Sequence, residues 1–251
     1  MNALFWTESF KVRAYEVDIF GKAYVQTIFN YLQEAASNHA GALKADKENL
    51  ERLNYTWVLS RAHIQMETYP RWHQTVQIDT WPSKKEAYFG VRDFEIKLKD
   101  ETIGRATSSW MMIDFNQRKP VKLPDFLNGV EYPEKGRALN DPFHRLPELR
   151  QVQNELKLKV RYSDLDVNRH VNSGHYLTWA MEAVPVEIRK KYIVKDFQIN
   201  YRAEALFGDV VSSQIEIIKN ENGLALHHRI LRESDQKELC RALSLWNPVQ
   251  S

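Results

Sequence analysis

Residues 161–172 read Arg161-Tyr162-Ser163-Asp164-Leu165-Asp166-Val167-Asn168-Arg169-His170-Val171-Asn172. An acid, an amide and an imidazole stand there at alternate positions: Asp166, Asn168 and His170. Upstream, Leu156-Lys157-Leu158-Lys159-Val160-Arg161 alternates apolar and polar, the period-two pattern of a half-buried strand. Downstream, Leu177, Ala180, Met181 and Val184 recur at i, i+3, i+4 and i+7, the apolar stripe of a helix expected over about Asn172–Val184. Three polar, proton-handling side chains are therefore expected where a strand gives way to a helix. A helix start offers unpaired backbone N–H groups and a positive dipole end, which favour a developing negative charge.

Working outward, the same stretch occurs twice. Lys11-Val12-Arg13 matches Lys159-Val160-Arg161, Asp18 matches Asp166, and Glu34-Ala35 matches Glu182-Ala183, all at one offset (166 − 18 = 148; 182 − 34 = 148). Arg105-Ala106-Thr107-Ser108-Ser109-Trp110 pairs with Arg241-Ala242-Leu243-Ser244-Leu245-Trp246 at a smaller offset (241 − 105 = 136). Two ordered sets of matches indicate a duplication, with a second copy 12 residues shorter in its middle (148 − 136 = 12). Each copy reads strand, helix, then a run of strands. In the first copy a strand is expected over Phe10–Tyr15 and a long helix over about Ala23–Ala40. A short helix follows over Leu43–Leu53, then strands around Trp57–Glu67, Thr75–Trp81, Ala87–Leu98 and Ile103–Asp114. In the second copy strands are expected around Asp196–Ala203, Val210–Ile218, Leu224–Leu231 and Glu238–Trp246. Between the copies, Leu123 to Gln153 carries Pro124, Pro133, Pro142 and Pro147 with Gly129 and Gly136, the composition of a linker. The fold class is α+β: two antiparallel sheets, each wrapped around a long helix, the two units packed as a pseudo-dimer within one chain. The expected units are 1–128 and 155–251, with a linker over 129–154.

Composition narrows the function. The chain has 251 residues, 43% hydrophobic and 27% charged, with a net charge of +2, too slight for bulk nucleic-acid binding. A single cysteine, Cys240, excludes internal disulfides and multi-thiolate metal sites. No window reaches the ~18 apolar residues of a membrane helix, and no basic leader precedes an apolar run. A cytoplasmic protein without a membrane span is the expectation. GxxxxGK[ST], GxGxxG and GxSxG are all absent, so nucleotide binding and serine-hydrolase chemistry have no support. His227 and His228 are adjacent on an expected strand and face opposite sides, and His175 stands at i+5 from His170, so neither pair suits a shared metal. His39 and His63 read as structural or surface residues.

Asp164-Leu165-Asp166-Val167-Asn168-Arg169-His170-Val171-Asn172, with Tyr176, Trp179 and Glu182, resembles the acyl-acyl-carrier-protein thioesterases, a family of fused double-hotdog hydrolases. Tyr201-Arg202-Ala203-Glu204, with Gly208 shortly after, is a second match, and the resemblance covers nearly the whole chain. It implies a tandem double hotdog and places the family's catalytic aspartate, asparagine, histidine and glutamate on Asp166, Asn168, His170 and Glu204. Where plant members carry a cysteine after that glutamate, this chain has Ala205, so a cysteine nucleophile is not expected. The plant transit segment is also missing, which points to a bacterial type. The implied partner is an acyl carrier protein bearing an acyl-phosphopantetheine thioester, with no cofactor and no metal. A homodimer of fused chains is compatible with the resemblance.

Thioester hydrolysis needs an activated water and a donor for the oxyanion. Glu204 is one general-base candidate and His170 the other. Asp166 would orient the water or a neighbouring side chain. Asn168 and the N–H groups opening the helix would bind the thioester carbonyl. The competing explanation, that Asp166 and Asn168 merely cap the helix, leaves His170 and Glu204 without a role. In the first copy Phe20 and Lys22 stand at the registers of Asn168 and His170, and only Asp18 is kept. The first unit is therefore expected to be non-catalytic and to shape the acyl pocket, and the second to be catalytic. Lys84-Lys85, Arg118-Lys119 and Arg189-Lys190-Lys191 are candidate docking patches for an acidic carrier. Two alternatives stay open: an acyl-CoA thioesterase, and a hotdog-type hydroxyacyl-thioester dehydratase.

Overall fold

Alternation in Trp6-Thr7-Glu8-Ser9-Phe10-Lys11 turns every second side chain inward and makes strand β1 (Trp6–Lys11). The strand ends earlier than the sequence suggests. Ala14–Glu16 forms one turn of 3-10 helix because the Glu16 carboxylate accepts the Arg13 N–H and pulls the chain out of the sheet. Helix α1 (Val25–Ala42) follows, and its buried residues Val25, Ile28, Phe29, Leu32, Ala35, Ala36 and His39 keep the three-to-four spacing of one face. That face lies against β1 and β3 (Thr75–Lys85). The computed structural model describes residues 4–124, 132–221 and 223–249. Its chain divides into two units, Met1–Pro142 and Phe143–Ser251. The expected boundary at 128/129 lies outside the described residues.

In the first unit, α2 (Lys47–Glu51), β2 (Tyr55–Met66), β4 (Phe89–Leu98), β5 (Glu101–Asp114) and the two-residue β6 (Lys119–Pro120) complete the set. The strand order is β1-β3-β4-β5-β2, every pair antiparallel, with β6 paired to β5. The second unit repeats it. β7 (Asn154–Lys159), α3 (Ser173–Glu182), α4 (Val186–Lys191), β8 (Tyr192–Tyr201), β9 (Val210–Asn220), β10 (Gly223–Arg232) and β11 (Glu238–Pro248) give the order β7-β9-β10-β11-β8, again antiparallel throughout. Helix α3 lies against β9 and β10. Both units are thus a helix laid on an antiparallel sheet. The two helices start in register (173 − 25 = 148), but α1 has 18 residues and α3 has 10. Most of the shortening of the second copy is therefore in its helix.

The proline-rich stretch is strapped down where it is described. Asp93, fully buried, accepts from Arg137 Nε at 2.8 Å and from the backbone N–H of Ala138 at 3.0 Å, while Trp81 Nε1 donates to Gly136 O at 2.8 Å. Further on, Arg241 Nη1 donates to Leu146 O at 3.2 Å and the Arg150 N–H to Glu216 at 3.0 Å. Its first part belongs to one unit and its second part to the other.

Candidate active site

The turn between β7 and α3 is built by two carboxylates. Asp164 is buried and accepts the Arg161 backbone N–H at 2.8 Å and the Arg161 guanidinium at 2.9 Å. Burial works to raise its pKa, but these bonds and the nearby His175 hold the carboxyl below its ordinary value. Asp166 Oδ1 accepts the N–H groups of Asn168 (2.7 Å) and His170 (3.4 Å), and its own N–H donates to His170 O at 2.8 Å. This Asx turn reverses the chain between the bridged residues Leu165 and Val171, with Arg169 in the left-handed region at φ 65°. Neither Asp166 nor Asn168 caps the helix. The cap is Asn172, which the sequence reading passed over; its side chain accepts the Gly174 N–H at 2.8 Å. That bond also takes one of the helix-opening N–H groups expected to face the thioester carbonyl.

Glu204 comes from a different stretch, the loop leaving β8. The N–H groups of Arg202 and Ala203 both donate to Leu239 O (2.8 and 3.1 Å), which bends the strand out of the sheet. The Val171 N–H donates to Ala205 O at 3.3 Å, the Ala205 N–H donates to the Tyr176 phenol oxygen at 2.7 Å, and Arg232 donates to Glu204 O at 2.6 Å. The Tyr201 hydroxyl donates to Ser173 O at 2.9 Å. Burial pushes both phenols well above the ordinary tyrosine pKa, so they stay neutral. The loop and the turn are thereby stitched together. His170 Nε2 stands 3.5 Å from Glu204 Oε2, although the two are 34 positions apart (204 − 170 = 34), and their side chains are 28% and 42% exposed. Asn168 is exposed on the same turn. Cys240 is buried, and burial drives its thiol pKa upward, away from a reactive thiolate.

The first unit carries the same scaffold without the same side chains. Asp18 Oδ1 accepts the N–H groups of Phe20 (2.8 Å) and Lys22 (3.0 Å), Val17 bridges Ala23, and Gly21 has φ 72°. The Ala23 N–H donates to Pro70 O at 2.8 Å, as the Val171 N–H does to Ala205 O. That correspondence sets the register of the loop (205 − 70 = 135) and puts Tyr69 where the second unit has Glu204 (204 − 69 = 135). Sequence offsets hid this match, because the register falls from 148 to 135 across the segment that holds the shorter second helix (18 − 10 = 8 of the 13 residues). The first unit instead has a small apolar crevice, partly open to solvent. It is lined by Phe29, Leu32 and Gln33 of α1 and by sheet residues including Ile64, Phe94 and Trp110. Ile28, one turn earlier on α1, is fully buried and does not line it.

Three histidines away from the site are held within the fold. His39 Nδ1 meets Arg92 at 2.9 Å, His63 pairs with Asp141 at 2.7 Å, and His228 Nε2 meets Ser244 at 2.7 Å. His228 corresponds to Phe94 of the cavity, since each stands opposite the alanine of the repeated Arg-Ala pair (Ala242 and Ala106; 242 − 106 = 136). Among the described residues, no three His, Cys, Asp or Glu side chains gather as a metal site, and no helix is long and apolar enough to cross a membrane.

Comparison with known proteins agrees with this architecture. The acyl-ACP thioesterase N-terminal domain matches residues 3–129 and the acyl-ACP thioesterase C-terminal domain matches residues 148–248. An oleoyl-acyl carrier protein thioesterase of Arabidopsis thaliana chloroplasts is 30% identical over 100% of this chain and 78% of its own length. That of Coriandrum sativum is 33% identical over 84% of this chain, and the match spans 62% of the relative's length. Among solved structures, an acyl-ACP thioesterase from Bacteroides thetaiotaomicron has a TM-score of 0.86 at 28% identity, covering 97% of this chain and 98% of that one. The 12:0-ACP thioesterase from Umbellularia californica has a TM-score of 0.89 at 26% identity over 99% of both chains. The fold is therefore the tandem double hotdog, and this chain belongs to the acyl-ACP thioesterase family.

Proposed function

We propose that this protein hydrolyses the thioester of an acyl group carried on acyl carrier protein and releases the free fatty acid. The observation that carries the reading is the meeting of His170 and Glu204 in one unit only, on a turn and loop that both units build. Glu204 acts as general base: it takes a proton from water while the water oxygen bonds to the acyl carbon. Asn168 donates to the carbonyl oxygen as it becomes an oxyanion. Collapse breaks the C–S bond, and the proton held by Glu204 goes to the departing thiolate. His170 holds the carboxylate and the water in line. Asp166 acts through the turn, fixing the backbone on which Asn168 and His170 stand. The first unit, expected over 1–128, receives the acyl chain in the cavity that Leu32 lines.

The reading places the reaction in the cytoplasm, where the single thiol stays reduced, and includes a homodimer of fused chains, checked by sedimentation of the intact chain. Its test is turnover of matched acyl-carrier-protein and acyl-CoA thioesters, with products identified. Free fatty acid and thiol, formed with a clearly higher kcat/KM from the carrier protein, is the expected result. Preference for CoA would move the substrate, and an enoyl thioester as product would replace hydrolysis by dehydration.

A further inference from the structure

Beside the proposed catalytic pair lies a strip of apolar side chains with no core to fill. Leu206 and Phe207 stand two and three positions after Glu204 in the β8–β9 loop and are 48% and 64% exposed. Tyr162, in the 3-10 turn after β7, is 82% exposed, and its ring meets that of Phe207 edge-on with centroids 6.4 Å apart. Exposed aromatic rings held against each other on a surface ordinarily mark a binding surface. The strip is anchored: the Leu206 N–H donates to Asp209 at 2.9 Å, and the Gly208 N–H donates to Val160 O at 3.3 Å. Arg161, next to Tyr162, spends Nε and Nη2 on Asp164, while its side chain is 72% exposed.

We propose that this strip is the seat of the pantetheine arm of the thioester substrate, with Arg161 meeting the arm's phosphate. The inference rests on the thioesterase reading of the site. The arm is a chain of methylenes and amides with a gem-dimethyl carbon near one end and a phosphate beyond it. Leu206, Phe207 and Tyr162 supply apolar contact for the methylenes and the gem-dimethyl carbon, and the Arg161 guanidinium, next to Tyr162 in the chain, supplies charge for phosphate. The span suits the arm: three residues from Glu204 to Phe207 cover at most about 10 Å, and Tyr162 adds a further ring-to-ring step of 6.4 Å. The first unit provides the contrast. Its counterparts are Arg71 (206 − 71 = 135), Trp72 (207 − 72 = 135) and Ala14 (162 − 14 = 148), so the strip is interrupted at both ends where no catalytic pair exists, and Trp72 stacks on His73 instead.

The test compares three thioesters of one acyl group: on holo-carrier protein, on pantetheine, and on N-acetylcysteamine, which lacks both the gem-dimethyl segment and the phosphate. Tyr162→Ala and Phe207→Ala should raise KM for the first two by roughly three- to tenfold, and leave KM for N-acetylcysteamine thioester within error. Arg161→Gln, checked for folding by thermal melting, should raise KM only for the phosphate-bearing substrate. Trp72→Ala in the first unit is the control and should alter none of the three. An equal rise on all three substrates, no rise on any, or the same rise from Trp72→Ala overturns the proposal. Wild-type protein inert toward every thioester would defeat the thioesterase reading itself, and this inference with it. Active wild-type protein with unaltered variants defeats this inference alone.

Discussion

Residues 18–22 and 166–170 trace one turn twice. Each opens with an aspartate that accepts two backbone N–H groups, and each passes through a left-handed residue: Gly21 in one copy, Arg169 in the other. Each is tied to its neighbouring loop by the same backbone bond, Ala23 to Pro70 and Val171 to Ala205. What differs is carried on the scaffold: Phe20, Lys22 and Tyr69 in the first unit; Asn168, His170 and Glu204 in the second. The comparison separates two kinds of residue that a motif merges. The aspartate kept in both copies serves the turn, and Asn168, His170 and Glu204, found in one copy only, are the side chains proposed for chemistry. Left-handed backbone costs an ordinary L-residue about 1 kcal/mol or more that glycine does not incur, so the second copy also tolerates strain where the first does not.

The comparison breaks most sharply at Glu204. Glu204→Gln keeps the side chain's shape and removes its basicity, and should lower kcat by at least ~10²-fold, whereas Tyr69→Phe at the matching place should leave kcat unaltered. Steady-state kinetics on a carrier-bound substrate decides it, and comparable losses from both would mean the units share one site. Next in size is the aspartate pair. Both Asp166→Ala and Asp18→Ala remove an Asx turn and should cost roughly 1 kcal/mol of stability each, read as a fall in Tm. Only Asp166→Ala should also lower kcat, by about 10²-fold, because only its turn positions a catalytic side chain.

The third contrast is between cavity and site. Leu32→Ala enlarges the first unit's cavity and should shift the product profile toward longer chains, a discrimination worth roughly 1–3 kcal/mol per methylene at best. Folding is to be checked first, since such truncations cost about 2–5 kcal/mol. A profile unaltered by Leu32→Ala would place the acyl chain elsewhere. The smallest expected effect concerns the residue that replaces Phe94 in the second unit. His228 is held neutral, its pKa lowered to about 3, chiefly by burial, with His227 beside it acting the same way. An unfolded imidazole titrates near ~6.5, so between those values the unfolded chain binds the extra proton and stability falls as pH falls. His228→Phe should flatten the decline of Tm between about pH 6.5 and pH 4. Some slope should remain from His175, whose pKa burial also lowers despite the opposing pull of Asp164.

The sequence alone determined the duplication, the order of helix and strands in each copy, and the polar residues between Asp164 and Asn172. These are short-range properties: periodicities of two and 3.6, and a repeat offset constant as long as no residue is lost between the compared positions. The resemblance pointed to Glu204 as well, without placing it in space. Tertiary structure alone decided that Glu204 meets His170 and that Tyr69 is its counterpart. It also decided that Asn172, and neither Asp166 nor Asn168, caps α3, and that Leu32 but not Ile28 lines the cavity. The physical reason is common to all four. Each depends on which backbone N–H finds which carbonyl or carboxylate, or on how a helix is rotated against its sheet. Except for the local Asn172 cap, those choices are made between segments tens of residues apart, where the repeat offset of the sequence no longer holds.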